Sequence, residues 1–145
     1  MPAAACELCK DIGGELLHEG ARFRVVLVDD PRYPGFCRVI WNEHVKEMTD
    51  LAAEDREMLM WVVWQVETAV REVMRPNKVN LASLGNVTPH VHWHIIPRYS
   101  DDTHFPNPIW AEAKRVPDEA SVSKRAALLP ALRDAVRKIK FPSAW

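Results

Sequence analysis

The chain has 145 residues, 48% of them hydrophobic and 27% charged, and a formal net charge of −1. That length suits one domain with a buried core, and the near-neutral balance gives no electrostatic reason to expect nucleic acid or an anionic membrane as partner. No apolar run approaches a membrane span.

The start, Met1-Pro-Ala-Ala-Ala-Cys6, lacks the basic and apolar regions of a signal peptide. Three cysteines suggest no disulfide framework, so a reducing cytoplasm is the expected compartment. Cys6-Glu-Leu-Cys9 opens the readable chain as a Cys-x-x-Cys pair. Arg22 to Val28 is β-branched enough to predict a strand, and Asp29-Asp-Pro-Arg-Tyr-Pro-Gly35 carries the turn formers of a loop. Phe36 to Trp41 reads as the second strand of a hairpin-like pair. A long helix is expected next, entered near Thr49 or Asp50. Its apolar residues Leu51, Met58, Leu59, Val62, Val63, Val66, Val70 and Val73 recur at helical steps. Arg75-Pro76 stops it.

Lys78 to Leu84 predicts a further strand, and Gly85-Asn86 turns the chain into Thr88-Pro-His-Val-His-Trp-His-Ile-Ile-Pro97. A proline-containing loop follows from Asp101 to Pro108, well placed with Ile109 and Trp110 to reach that strand. The last helical stretch runs from about Ser121 to Lys140, and Pro130 must start, kink or split it. Strands with helices segregated around them make the fold class α+β.

Three of the six histidines, His90, His92 and His94, alternate with Val91, Trp93 and Ile95. Strand periodicity puts the imidazoles on one face and the apolar residues on the other. One strand histidine is usually a half-buried polar residue; three on a face each need partners once they lose water. Such an array suits a metal site or a histidine nucleophile with its neighbours fixing tautomer and charge. Spacing does not choose between them.

The run His90-Val-His-Trp-His-Ile-Ile96 resembles the signature of the histidine-triad (HIT) nucleotide hydrolases and transferases. Asp30-Pro-Arg-Tyr-Pro-Gly-Phe36, Val39-Ile-Trp-Asn-Glu-His44, Asn80, Gly85-Asn86 and the ending His94-Ile-Ile-Pro-Arg98 follow the same order. The resemblance spans Cys6 to Arg98 and implies a single HIT domain over 1–145, with its core at about 6–98 and a C-terminal loop and helix over 101–145. It implies an antiparallel sheet of about five strands, a long helix and a C-terminal helix.

By resemblance His92 is the nucleophile that attacks a nucleotide's α-phosphorus and forms a covalent nucleotidyl-histidine. His94 contacts phosphate oxygens or the leaving side, and the His90 carbonyl holds the His92 ring proton. Asn80 stands within one residue of an amide that contacts the nucleotide. Relatives often hold the ribose with an acidic or amide residue just before the Pro-x-x-Pro-Gly pattern; Val28 falls there, with Asp29 beside it. Many relatives carry a hydroxyl residue three before the first histidine. Here that place is Val87, with Thr88 and Asn86 as neighbours. The implied substrates are nucleoside phosphoramidates or purine dinucleoside polyphosphates such as diadenosine tetraphosphate, cleaved without a catalytic metal. The alternative is a nucleotide-binding regulatory module with little turnover; a third reading makes the triad a catalytic metal site.

Cys6, Cys9, His44 and His90 match a structural zinc set held by several relatives, a Cys2His2 arrangement. Otherwise Cys6 and Cys9 are free thiols near the terminus and His44 a surface residue. The family also implies a homodimer through the long helix and neighbouring strands. Elsewhere the bland explanations stand: Cys37 as a small buried residue, Trp61 and Trp64 as core or interface, His18 and His104 as isolated and solvated, and Lys124, Arg125, Arg133, Arg137 and Lys138 as a wet helix face.

Overall fold

The computed structural model describes residues 3–145. A four-residue helix α1 (Glu7–Lys10) precedes strands β1 (Glu15–Glu19), β2 (Phe23–Leu27) and β3 (Cys37–Trp41). Helix α2 (Ala53–Met74), strands β4 (Lys78–Ala82) and β5 (His92–Arg98), and helices α3 (Glu119–Ala126) and α4 (Leu129–Arg137) complete the order. The strands form one five-stranded sheet in the order β1-β2-β3-β5-β4, antiparallel at every pairing. This is the α+β architecture read from the order of elements, with the strand count that the resemblance implied.

The period of two divides the sheet into a packing face and a working face. Val25, Val39, Trp41 and Ile95 meet Leu59, Val62, Val63 and Val66 of α2 and Leu132 and Val136 of α4 in the main core. Arg38, Ile40, His92, His94 and Ile96 fall at the alternate positions. Two lids cover parts of that second face. Cys6 and Leu8 pack on Val26 and Ile40, while Tyr33 and Phe36 gather around Ile96 with Val28 and Ile109.

Three expectations need correction. The long helix begins at Ala53, not at Thr49 or Asp50, which belong to a separate 3-10 turn (Met48–Asp50). There Glu47 and Asp50 cap each other's backbone, and Leu51 leaves the turn in extended conformation, so the helix restarts only after Ala52. At its other end Arg75 closes α2 in the left-handed region at φ 47°, and Pro76 prevents continuation.

The histidine strand is shorter than Thr88 to Pro97. Regular pairing starts at His92, because Pro89 has no N–H for a ladder. Trp41 still donates to the Val91 carbonyl at 3.1 Å, but the Val91 N–H turns aside to the Val45 carbonyl at 2.8 Å. His90 therefore sits just outside the strand.

Strand β1 was not foreseen. Glu15-Leu-Leu-His-Glu19 has no β-branched residue, and a register shift between Leu16 and His18 turns Leu17 into the main core. At the C-terminus, Pro130 splits the helical stretch in two, standing in the first turn of α4, where its missing N–H is harmless.

Candidate active site

His92 and His94 leave β5 on the same face because Trp93 and Ile95 take the other. Their ring centroids stand 4.9 Å apart, with the planes perpendicular at 90°. The His92 Nδ1 lies 2.6 Å from the carbonyl oxygen of His90. A carbonyl only accepts, so the ring proton belongs on Nδ1 and the Nε2 lone pair is free. Burial pushes the His92 pKa below the ordinary imidazole value, against the pull of that carbonyl.

His94 is treated the same way from the other side. Arg38, its cross-strand partner on β3, donates from Nε to His94 Nδ1 at 3.4 Å. That leaves the His94 proton on Nε2. Burial, then the neighbouring His92 and Arg38, push the His94 pKa down to about 3. Both rings are neutral at physiological pH, one presenting a lone pair and the other an N–H.

A cavity of about 290 Å³ opens over these rings, lined by Leu84 to Thr88, His92, His94 and Trp110. Trp110 comes from the loop beyond β5, its ring 5.0 Å from that of His94. A larger apolar groove beside it runs along β4 under Leu84, Pro106, Pro108 and Trp110. Phe36 meets the His94 ring edge-on at 5.5 Å.

The Trp110 loop is held from beneath. Arg98 donates to Asp102 from Nε at 2.8 Å and from Nη2 at 3.0 Å, and both side chains are almost fully buried. Arg98 also reaches Asn80 Oδ1 at 2.7 Å and the Asn107 carbonyl at 2.8 Å. Burial opposes ionisation of Asp102, but Arg98 and the backbone N–H groups of Tyr99 and Phe105 outweigh it and hold the pKa below normal. Tyr33 Oη lies 2.6 Å from His104 Nδ1 in the same knot.

On the far side of His92 a second cluster forms. The Nδ1 of His90 lies 3.5 Å from both Cys6 Sγ and Cys9 Sγ, and 3.3 Å from His44 Nδ1. Cys9 Sγ is 3.3 Å from His44 Nδ1. The four donor atoms lie within 4.8 Å of one another and could hold a metal ion. The His90 Nε2 faces the Trp41 carbonyl, so its proton is there and the Nδ1 lone pair turns into the cluster. Arg24, buried beneath, donates to the carbonyls of Leu8 at 2.7 Å and Ile12 at 2.8 Å and fixes the segment that brings in the cysteines.

Comparison with known proteins decides the family. The HIT domain model matches residues 10–101. The chain belongs to the HIT family. HIT-family structures superpose closely: a histidine triad protein from Bradyrhizobium japonicum at 26% identity and TM-score 0.69 covers 84% of this chain and 91% of its own. One from Marinobacter aquaeolei, also 26% identical, gives 0.67 over 86% and 92%. An AP-4-A phosphorylase of Mycobacterium tuberculosis is 27% identical over 101 residues. That match takes in 66% of this chain and 52% of the relative, so the chain spans about half the length of the curated relatives it matches.

Within this HIT fold the residues singled out by sequence fall into three places. His92, His94 and Asn86 line one cavity. Cys6, Cys9, His44 and His90 form the second cluster, and Cys6 and Cys9 are not joined by a disulfide. Asn80 lines the neighbouring groove with its oxygen engaged by Arg98. Asp29, two residues beyond the end of β2 at Leu27, lines a separate groove with Glu15, Val122 and Arg133.

His104 is buried against Tyr33 and His18 packs on Phe141 with ring centroids 4.2 Å apart, so neither is the isolated, solvated residue expected. Arg125 pairs with Asp101 and caps the Tyr99 ring at 3.7 Å, and Arg133 grips Glu15, so these two bind rather than form a free wet face. Trp110 reaches the histidines as its loop was expected to, whereas Arg24, Arg38 and Asp102 were not foreseen in their roles. An arginine at the centre of an apolar strand, as in Phe36-Cys-Arg-Val-Ile, was the signal for Arg38.

Proposed function

We propose that the chain is a nucleotide hydrolase or transferase that cleaves at the α-phosphate through a covalent intermediate on His92. The observation that carries this reading is the 2.6 Å contact between His92 Nδ1 and the His90 carbonyl. It fixes the tautomer in which Nε2 is an uncharged nucleophile.

In the first step the Nε2 lone pair bonds to the α-phosphorus and the bond to the leaving group breaks. An anhydride leaving group departs as a phosphate anion; a phosphoramidate nitrogen takes up a proton from solvent water and departs as an amine. In the second step water, or another acceptor, attacks the same phosphorus. The P–N bond to His92 breaks with its electron pair returning to Nε2, and the acceptor's proton passes to solvent. Neutral His94 offers its Nε2–H to a phosphate oxygen, and an uncharged donor stabilises the developing charge without a proton having to be lost first. Trp110, Leu84 and Val87 give the cavity an apolar rim for the nucleoside or the leaving group.

The AP-4-A phosphorylase relatives make diadenosine tetraphosphate the first substrate to try, beside adenosine phosphoramidate. Turnover in 18O-water tests the position of attack. The proposal expects the label in the phosphate of adenosine monophosphate; label confined to the other product would overturn it.

The second cluster is proposed as a structural zinc site. Tetrahedral zinc with two thiolates and two imidazoles places nitrogen–nitrogen edges at about 3.3 Å and nitrogen–sulfur edges at about 3.5 Å. The corresponding contacts here are 3.3 Å, and 3.3 to 3.5 Å. A closed four-ligand site holds the N-terminal segment and His44 to the base of β5, leaving the phosphate chemistry to the protein's own side chains. The same reading includes a homodimer; Trp64, 55% exposed on α2, offers apolar surface for it.

A further inference from the structure

Arg38 is the one charged residue in an otherwise apolar strand. It is the second residue of β3, between buried Cys37 and Val39, and points to the histidine face. Burial lowers its pKa, so the environment opposes its charge. Its hydrogen-bond partners are uncharged: His94 Nδ1 at 3.4 Å and the Gly13 carbonyl at 3.2 Å. The Phe36 ring lies 5.5 Å from the guanidinium carbon. Among the described residues no carboxylate pairs with it.

The other buried arginines show what is missing. Arg98 is matched by Asp102, and Arg24 spends its N–H groups on three carbonyls and an amide oxygen. Arg38 keeps one terminal nitrogen with no protein acceptor among the described residues. A half-buried guanidinium without an anion is an arrangement the fold alone does not reward. Beside a donor histidine, it fits an anionic group that arrives from outside, and a planar set of N–H groups suits phosphate oxygens.

We propose that Arg38 is the residue that positions His94 and, with it, binds the phosphate attacked by His92. Its Nε–H selects the His94 tautomer with hydrogen on Nε2, and its unpartnered nitrogen supplies the positive charge that the neutral histidines lack. This rests on the phosphate-transfer reading above and adds to it the origin of charge neutralisation. It also gives one reason for a substrate with an anionic phosphate at the scissile position.

The test compares Arg38→Met and Arg38→Lys with wild type. Nitrogen-15 NMR of the ligand-free protein reads the His94 tautomer directly. Wild type shows hydrogen on Nε2 alone; Arg38→Met, which cannot donate, shows a mixture, and so does Arg38→Lys, which lacks a fixed planar donor. With diadenosine tetraphosphate, kcat falls about 100-fold in Arg38→Met, the scale for losing one preorganised donor, and less in Arg38→Lys, which keeps the charge. A single unchanged tautomer together with kcat within about twofold of wild type in either folded variant would overturn the proposal. If Arg38→Met does not fold, Arg38→Lys decides on the same two readouts. If wild type itself turns over no nucleotide, the functional reading fails separately, and the tautomer measurement still decides whether Arg38 positions His94.

Discussion

The backbone oxygen of His90 and the ring nitrogen Nδ1 of His92 meet at 2.6 Å, while the His90 ring itself turns into the Cys6-Cys9-His44 cluster. One residue thus belongs to both centres. Its side chain fastens the N-terminal segment and its carbonyl sets the tautomer of the proposed nucleophile. Metal bound in the cluster is expected to hold that carbonyl in place without meeting the substrate.

Purified without chelator, the protein is predicted to carry one zinc per chain by elemental analysis. Cys9→Ser is expected to lose the metal and a few kcal/mol of stability, a fall in Tm of about 10 °C. Wild-type turnover persists under a chelator too weak to strip the site. Metal-free protein with unchanged Tm on zinc addition would contradict this.

Burial of imidazoles makes stability depend on pH in a definite direction. The His94 pKa falls from 6.5 to about 3 on folding, and His18 and His104 are lowered by burial as well. Between those two pKa values the unfolded chain binds a proton that the folded chain refuses, so stability is lost as pH falls from about 6.5 toward 3. Asp101, Asp102 and Glu15, all held below their ordinary values, add to the loss as pH falls toward and through the carboxylate range. The urea midpoint is expected to drop steadily from pH 7 to pH 4.5, and His94→Asn to flatten the slope. A midpoint independent of pH over that range would count against the buried neutral rings.

Asp102 should be the most sensitive side chain outside the histidines. Its carboxylate answers Arg98 and the N–H groups of Tyr99, His104 and Phe105. Asp102→Ala leaves a buried guanidinium uncompensated, and the expected loss is about 3–5 kcal/mol, read by urea denaturation. A loss below about 1 kcal/mol would show that the pair behaves like a surface ion pair.

Trp110 is 52% exposed and carries no share of the main core, so Trp110→Ala should fold normally. Loss of an aromatic wall beside His94 is expected to raise KM about tenfold, the scale of one stacking contact, with Trp110→Phe recovering most of it. Unchanged KM would place substrate away from the Trp110 rim.

Much of this was legible in the sequence, for identifiable reasons. Val62, Val63, Val66 and Val70 mark the α2 face because helix periodicity survives any tertiary detail, and Trp93 and Ile95 orient His92 and His94 because strand alternation does too. The spacing of Cys6, Cys9, His44 and His90 matched a family pattern, and the fold brings the four together. What was hidden depends on contacts between distant segments. Asp102 reads as a turn former until Arg98 is seen behind it, and His104 as solvated until Tyr33 covers it. Glu15 to Glu19 forms a strand only because β2 offers an edge to pair with. Asp29 stands one residue from the expected ribose contact, yet β2 ends at Leu27 and the side chain lines another groove.

The central claim is that His92 carries the nucleotide. The most direct measurement is intact mass after rapid denaturing quench of a reaction with diadenosine tetraphosphate or adenosine phosphoramidate, with product release followed in the same samples. Wild type is predicted to gain the mass of one adenylyl group, transiently, and to release adenosine monophosphate. His92→Ala is predicted to gain nothing and to lose about 10⁴-fold or more in rate. An adduct that persists in His92→Ala, or full turnover by that variant, would contradict the account.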